Sequence, residues 1–93
     1  MFQIKYRRTA LDDLADLRAF DRVAIIRSIE RNLFRDPHVM GRSKKRIDRG
    51  DGNFVYQLRV GGFRVFYDGD VDVSVTIVER VRRKDRRTTG EIL

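Results

Sequence analysis

The chain has 93 residues, which suffices for one domain and leaves no room for a second. It has no cysteine, which excludes disulfides and thiolate metal sites, and no apolar run long enough to span a membrane. Its 21 Lys and Arg against 14 Asp and Glu give a net charge of +7, and 13 of the basic residues lie in 37–93. This predicts a soluble, cytoplasmic protein that binds a polyanion such as nucleic acid, the alternative being a surface that is merely basic.

The first residues predict a strand and then a helix. Phe2, Ile4 and Tyr6 alternate with polar residues, the period of a half-buried strand. Thr9 and Asp12 have the spacing of a capping box, and leucines at helical spacing follow. A helix is therefore expected to begin at this point.

A second helix and a loop come next. Asp21 offers an N-cap, and Pro37 disfavours helical geometry at the residue before it, so this helix should end near Arg35. Because almost nothing separates the two helices, they should form an antiparallel hairpin or a sharp bend. Residues 38–52 have no period and are rich in glycine and charge, which predicts a loop before the sheet.

The rest of the chain predicts three consecutive strands. Apolar residues alternate through 54–60 and 63–67 around a Gly-Gly turn, Asp-Gly-Asp at 68–70 is a second turn signal, and a valine-rich run at 71–77 forms the third strand. The predicted fold is α+β, in the order β-α-α-β-β-β, with an antiparallel sheet packed on one face by the two-helix hairpin. The first strand should join that sheet at an edge.

Two arginines flank the Gly-Gly turn in LRVGGFRVFY. A two-residue hairpin pairs Arg59 with Arg64 on the face away from the helices, and like charges in such pairs are normally destabilising. The arrangement becomes favourable once a phosphate lies between the two guanidinium groups. Alternatively, both side chains point into water, or Arg64 pairs with an acid such as Asp68 or Asp72.

VYQLRVGGFRVFY, followed by a valine-rich strand and ERVRRKD, resembles the RelE/ParE superfamily of type II toxin-antitoxin toxins. IKYRRTALDDLADL is similar to that family's opening strand and helix, and LFRDP to the end of its second helix. The RelE-like branch, which the concentrated positive charge favours, implies a ribosome-dependent mRNA endonuclease that inhibits translation. The alternatives are a ParE-like inhibitor of DNA gyrase and a degenerate, non-toxic nucleic-acid-binding member.

The resemblance also implies site residues. Arg64 matches the family's hairpin arginine and Arg83 the arginine near the end of the last strand, and Lys45 falls in its basic segment; these three are the catalytic candidates. Arg82 and Arg87 stand where many members have histidine and tyrosine, so the usual general acid is missing, since arginine does not exchange protons near neutral pH. The predicted RNA-binding residues are Lys44, Arg46, Arg59, Arg82, Lys84, Arg86 and Arg87.

The remaining expectations concern ligands and partners. We expect no metal, because Asp68, Asp70 and Asp72 lack the ligand count and spacing of a calcium loop, and no cofactor, because the chain has no Walker loop. The expected partners are the ribosome, mRNA and a cognate antitoxin that masks the basic face. One toxin domain, 1–93, should carry a basic tail from about residue 80.

Overall fold

The computed structural model describes residues 1–35, 37, 38, 40–50 and 54–84. This part of the chain contains two helices and a five-stranded mixed sheet of order β1-β5-β4-β3-β2, which confirms the predicted α+β class. The elements are β1 (Gln3–Tyr6), α1 (Arg8–Ala15), α2 (Ala19–Leu33), β2 (Lys44–Asp48), β3 (Phe54–Val60), β4 (Phe63–Asp70) and β5 (Val75–Arg83).

Strands β3, β4 and β5 form the predicted antiparallel meander. Val60 pairs with Phe63 and Leu58 with Val65 across the Gly-Gly turn, as the alternation predicted. Gly61 has a φ of 55°, a conformation that glycine adopts without steric cost. Strand β1 lies at one edge, as predicted, and runs parallel to β5.

Strand β2 corrects the prediction of a loop over 38–52. It pairs antiparallel with β3, placing Lys45 opposite Gln57, and just before it the carbonyl of Ser43 accepts a hydrogen bond of 2.7 Å from the Arg59 amide. Both faces of β2 are largely exposed, so nothing imposes an apolar alternation on it. Lysine and arginine are common on such edge strands because their charge discourages further strand pairing.

The core lies between the helices and one face of the sheet. Its fully buried members include Ile25, Ile29 and Leu33 of α2, Leu58 of β3, Val65 and Tyr67 of β4, and Val78 of β5. The Tyr67 hydroxyl donates to the Pro37 carbonyl at 2.8 Å, so this buried polar group is satisfied.

The predicted capping box at Thr9 and Asp12 is wrong. Helix α1 has Arg7 as its N-cap and no side-chain cap, and the Thr9 hydroxyl instead donates to the Glu79 carbonyl at 2.7 Å. A bulge opposite Phe66 and Tyr67 leaves Glu79 without a register partner in β4. Thr9 therefore ties α1 to β5 instead of capping its own helix.

The ends of α2 also differ from the prediction. The helix begins at Ala19 with Arg18 as its N-cap, which puts Asp21 in the first turn, and it ends at Leu33. The Asp21 carboxylate lies 3.9 Å from the Arg18 guanidinium and near the positive end of the helix dipole. Asp21 thus acts through its charge and not as a cap.

The second predicted turn is displaced along the chain. The Asp-Gly-Asp segment 68–70 belongs to β4, and the turn lies at 71–74, where Ser74 has a φ of 53°. Val71 and Val73 are 59% and 65% exposed, so their alternation does not mark a strand. Pairing of Asp70 with Val75 extends the β4–β5 ladder through the predicted turn.

Asp13 joins α1 to β5 through a bidentate ion pair. Its carboxylate accepts bonds of 3.0 and 3.1 Å from Arg80 and one of 2.9 Å from the Val81 amide. Burial alone would raise the pKa of Asp13, but these hydrogen bonds and the positive charges of Arg80 and Arg82 lower it below its ordinary value.

Asp13→Asn should therefore lower the free energy of unfolding at neutral pH by about 1–3 kcal/mol, because it removes charged hydrogen bonds. A carboxylate with a lowered folded pKa contributes stability above its unfolded pKa of about 3.9 and loses it as the pH falls through the folded value. In urea titrations at neutral and acidic pH, the difference between wild type and variant should shrink below about pH 4. A constant difference across that range would contradict this assignment.

Candidate phosphate-binding site

A row of arginines crosses the sheet on the face opposite the helices. Arg59 pairs with Arg64 between β3 and β4, and Arg64 pairs with Arg82 between β4 and β5. Lys45 and Gln57 form the neighbouring pair on the same face. The like charges that the sequence predicted opposite each other are therefore adjacent in the fold.

Arg64 is the most constrained member of this row. It is 8% exposed, and its Nη1 donates to the carbonyls of Gly61 at 3.0 Å and Phe63 at 2.8 Å. These bonds anchor the guanidinium against the hairpin turn. The N–H groups of Nε and Nη2, which lie side by side on one edge of the planar guanidinium, remain available as donors. That edge has the geometry that binds two oxygens of a phosphate.

The charge of Arg64 is not neutralised by an acid. Burial lowers the pKa of Arg64, and the nearby charge of Arg59 lowers it further. Among the described residues no carboxylate lies within ion-pair distance of Arg64, so the predicted alternative of a pair with Asp68 or Asp72 is wrong. An uncompensated, partly desolvated cation of this kind is typical of an anion-binding site.

A cavity of about 290 Å³ opens beside Arg64. It brings together five of the predicted cations, Lys44, Lys45, Arg59, Arg64 and Lys84. The amide of Lys84 donates to the Gly62 carbonyl at 2.7 Å, which fixes the end of β5 against the hairpin turn. The full lining is Gly41, Arg42, Ser43, Lys44, Lys45, Gln57, Arg59, Arg64 and Lys84.

The side chains of Lys44 and Arg83, which were also predicted site residues, make contacts on the helix side of the sheet. Lys44 lines the cavity, but its Nζ donates at 3.1 Å to the carbonyl of Asn32, near the end of α2. The guanidinium of Arg83 lies 4.6 Å from the centre of the Phe63 ring, on the face that packs against the helices. The structure therefore does not bring Arg83 together with Arg64.

Arg46 lies outside the cavity. Arg46 is exposed and pairs with Tyr56, whose ring belongs to the helix side. Arg86 and Arg87 lie outside the described residues. The predicted tail from about residue 80 begins inside β5, which runs to Arg83.

Arg82 lines a second cavity of about 300 Å³ on the same face, over Val55 and Phe66. Two of the arginines there are already paired with acids, Arg7 with Glu79 at 3.3 Å and Arg80 with Asp13. This second cavity therefore offers less free positive charge than the one beside Arg64. Its lining is Arg7, Thr9, Arg49, Val55, Phe66, Glu79, Arg80 and Arg82.

Among the described residues, the cavity beside Arg64 is lined by cations, one side-chain amide and Ser43, but by no histidine, tyrosine or carboxylate. His38 instead packs on Tyr56, with ring centroids 4.9 Å apart on the helix side. The arrangement can bind an anion and stabilise added negative charge, whereas a general acid of ordinary pKa is absent from the described lining. In the described residues no cluster of His, Asp or Glu could hold a metal ion, and no helix is long and apolar enough to cross a membrane.

Comparisons with known proteins agree with this fold. Residues 4–88 match the family described as ParE toxin of type II toxin-antitoxin system, parDE. No curated protein sequence matches this chain.

Solved structures share the fold at low identity. The toxin-antitoxin complex RelBE2 from Mycobacterium tuberculosis has a TM-score of 0.76 and 23% identity, covering 89% of this chain and 98% of that one. The RelE-RelB complex from Pyrococcus horikoshii has a TM-score of 0.67 and 17% identity, covering 92% and 98%. The intact RelBE complex from E. coli has a TM-score of 0.61 and 18% identity, covering 92% and 100%.

Proposed function

We propose that this chain, which belongs to the ParE toxin family of type II toxin-antitoxin systems in the RelE/ParE superfamily, is a toxin that cleaves mRNA in the ribosome. The cavity lined by Lys45, Arg59, Arg64 and Lys84 carries this proposal, because four cations with no acidic partner in the described part of the chain form a site for a phosphodiester. We call it the phosphate cavity below.

In the proposed reaction the RNA supplies its own nucleophile. The 2′-oxygen forms a bond to the adjacent phosphorus and the bond to the 5′-oxygen of the next nucleotide breaks, while the 2′-hydroxyl proton ends on that leaving oxygen. The phosphate gains negative charge on the way. Arg64, held in place by two backbone carbonyls, stabilises that charge without reorganising, and such preorganised donors contribute most to electrostatic catalysis.

Proton transfer in this scheme falls to a lysine of the cavity or to a ribosomal group. Loss of good acid-base catalysis costs about 10²–10⁴-fold in rate. A slow nuclease is still an effective toxin, because one cut inactivates the message on a ribosome. We propose that Arg83 and the other basic residues outside the cavity contribute to RNA affinity through their charge.

The second candidate function is inhibition of DNA gyrase, as a ParE-like toxin. Two observations favour it: the matching family is described by the ParE name, and no histidine, tyrosine or carboxylate is among the described residues that line the phosphate cavity. Inhibition by binding needs neither a scissile phosphate nor proton transfer. The two candidates therefore differ in whether the target is cut.

We also propose a cognate antitoxin as partner, since the similar solved structures named above are toxin-antitoxin complexes. Phe20 and Val23 of α2 are 84% and 46% exposed, and an apolar partner segment would bury them. An acidic stretch of the same partner would mask the phosphate cavity. If the bound antitoxin left Arg64 accessible to RNA, this masking would be wrong.

Primer extension on a defined message in a reconstituted translation reaction tests the function. The wild type should produce cuts at A-site codons that require ribosomes, and Lys45→Ala should reduce them about tenfold by removing one charged contact to the phosphate. Lys5→Ala, which removes an exposed lysine at the far edge of the sheet, is the matched control and should cut normally. Uncut message together with inhibited gyrase supercoiling would establish the second candidate instead.

A further inference from the structure

Gln57 is buried in the phosphate cavity without a hydrogen-bond partner for its oxygen. The residue is 5% exposed and lines the cavity; in the sheet it pairs with Lys45 on one side and Phe66 on the other, next to the Arg59–Arg64 pair. Its Oε1 and the Tyr6 hydroxyl are the buried side-chain polar atoms that lack a partner among the described residues. Tyr6 lines neither of the two cavities described above, so only the unsatisfied atom of Gln57 belongs to a candidate site.

An unsatisfied buried amide oxygen is costly to the folded protein, so its presence calls for a role. The amide can turn about its last torsion with little strain, and the surrounding positive charges favour the orientation that presents the oxygen to the cavity. The ligand group that fits this oxygen is a hydrogen-bond donor lying next to a phosphate. A carboxylate in the same place would also accept a hydrogen bond, but its charge would repel the phosphate.

We propose that the Gln57 side-chain oxygen accepts a hydrogen bond from the ribose 2′-hydroxyl next to the bound phosphate and so selects RNA over DNA. The cations around it bind phosphate in either nucleic acid, whereas the 2′-hydroxyl is the donor that DNA lacks. The proposal rests on the proposed function, because it takes the cavity to hold an RNA phosphodiester. It makes Gln57 a specificity-determining residue that contributes no charge.

Binding of short single-stranded oligonucleotides at low salt, without ribosomes, tests this. Ribo-oligonucleotide should bind the wild type about fivefold more tightly than its 2′-fluoro counterpart, which keeps an RNA-like sugar but cannot donate. Gln57→Leu should bind both oligonucleotides with the same affinity. Arg59→Ala is the matched control: it should weaken the binding of both oligonucleotides equally, so that the ratio of their affinities stays at the wild-type value.

A second readout does not depend on ligand. Gln57→Leu should raise the Tm of the free protein by about 4–8 °C, because it removes an unsatisfied buried polar group. Equal binding of the two oligonucleotides by wild type, or a ratio that persists in Gln57→Leu, would overturn the role of Gln57 and leave the phosphate cavity standing. Failure of wild type to bind either oligonucleotide would overturn this inference, whereas loss of ribosome-dependent cuts in the primer-extension assay would overturn the RNA function itself.

Discussion

Arg64→Ala should reduce mRNA cleavage by about 10²–10³-fold, the usual loss when one preorganised donor to a developing negative charge is removed. Arg64 is the buried cation of the phosphate cavity, and its Nη1 is already bound to the carbonyls of Gly61 and Phe63. Its remaining donors therefore reach the phosphate from a fixed position. Single-turnover cleavage on programmed ribosomes measures the loss directly.

The same substitution should also lower stability, contrary to what its position facing away from the helices suggests. Two carbonyls at the hairpin turn lose their donor, which costs about 1–2 kcal/mol and shifts the Tm by several degrees. Arg64→Lys keeps the positive charge but lacks the paired N–H donors of the guanidinium. Relative to Arg64→Ala, we therefore expect it to recover part of the RNA binding and little of the cleavage rate.

Added phosphate separates the catalytic role of Arg64 from a purely structural one. An anion that binds the folded state raises its Tm, so phosphate should stabilise the wild type more than Arg64→Ala. Arg59→Ala provides the comparison, since Arg59 is exposed and should lose affinity without loss of stability. If the activity of Arg64→Ala returned fully at a temperature where the variant is folded, the residue would be structural only.

Lys84→Ala should reduce cleavage by about 10–100-fold, which corresponds to the loss of one hydrogen bond to a charged group. Lys84 lines the phosphate cavity, where its backbone is held to Gly62, although the sequence assigned it only to RNA binding. Arg83→Ala should have a smaller effect on cleavage, because the Arg83 guanidinium packs over Phe63 on the other face.

The order of the two variants should be reversed for stability: Arg83→Ala should be the less stable one, although Lys84→Ala loses more cleavage. Arg83→Ala removes a cation–π contact, worth about 0.5–1 kcal/mol at an exposed site, whereas Lys84→Ala should leave the Tm unchanged. Measuring cleavage and Tm for both variants in parallel tests the pair. A larger loss of cleavage in Arg83→Ala would show that this arginine and not Lys84 contacts the reacting phosphate.

The register of β5 explains why Arg83, which the resemblance made a catalytic candidate together with Arg64, does not meet Arg64 in the fold. Alternation along a strand assigns each side chain to a face only while the register is unbroken, and one extra residue inverts every assignment after it. The register shift opposite Phe66 and Tyr67 inserts Glu79, so Arg82 pairs with Arg64 and Arg83 falls on the helix side. Local composition contains no sign of that shift.

The sequence also did not predict that residues on the binding face are buried. Arg64 and Gln57 are nearly inaccessible, at 8% and 5% exposure, although both lie on the face that the alternation assigned to solvent. Gln57 pairs with Lys45 of β2, a strand that the sequence predicted as loop because its exposed edge position imposes no apolar period. Lys45 comes to lie beside Gln57 through this pairing alone.

By itself the sequence determined the α+β class, the β3–β4 hairpin with its register, and the presence of Arg59 opposite Arg64. These depend on short-range patterns, an alternation of period two and a Gly-Gly turn, which act within a few residues. The tertiary structure decided the parallel pairing of β1, the edge strand β2, and the meeting of Lys45 and Lys84 with Gln57. Those features arise from pairing between segments far apart in the chain, where the energy of completing a sheet edge outweighs local preference.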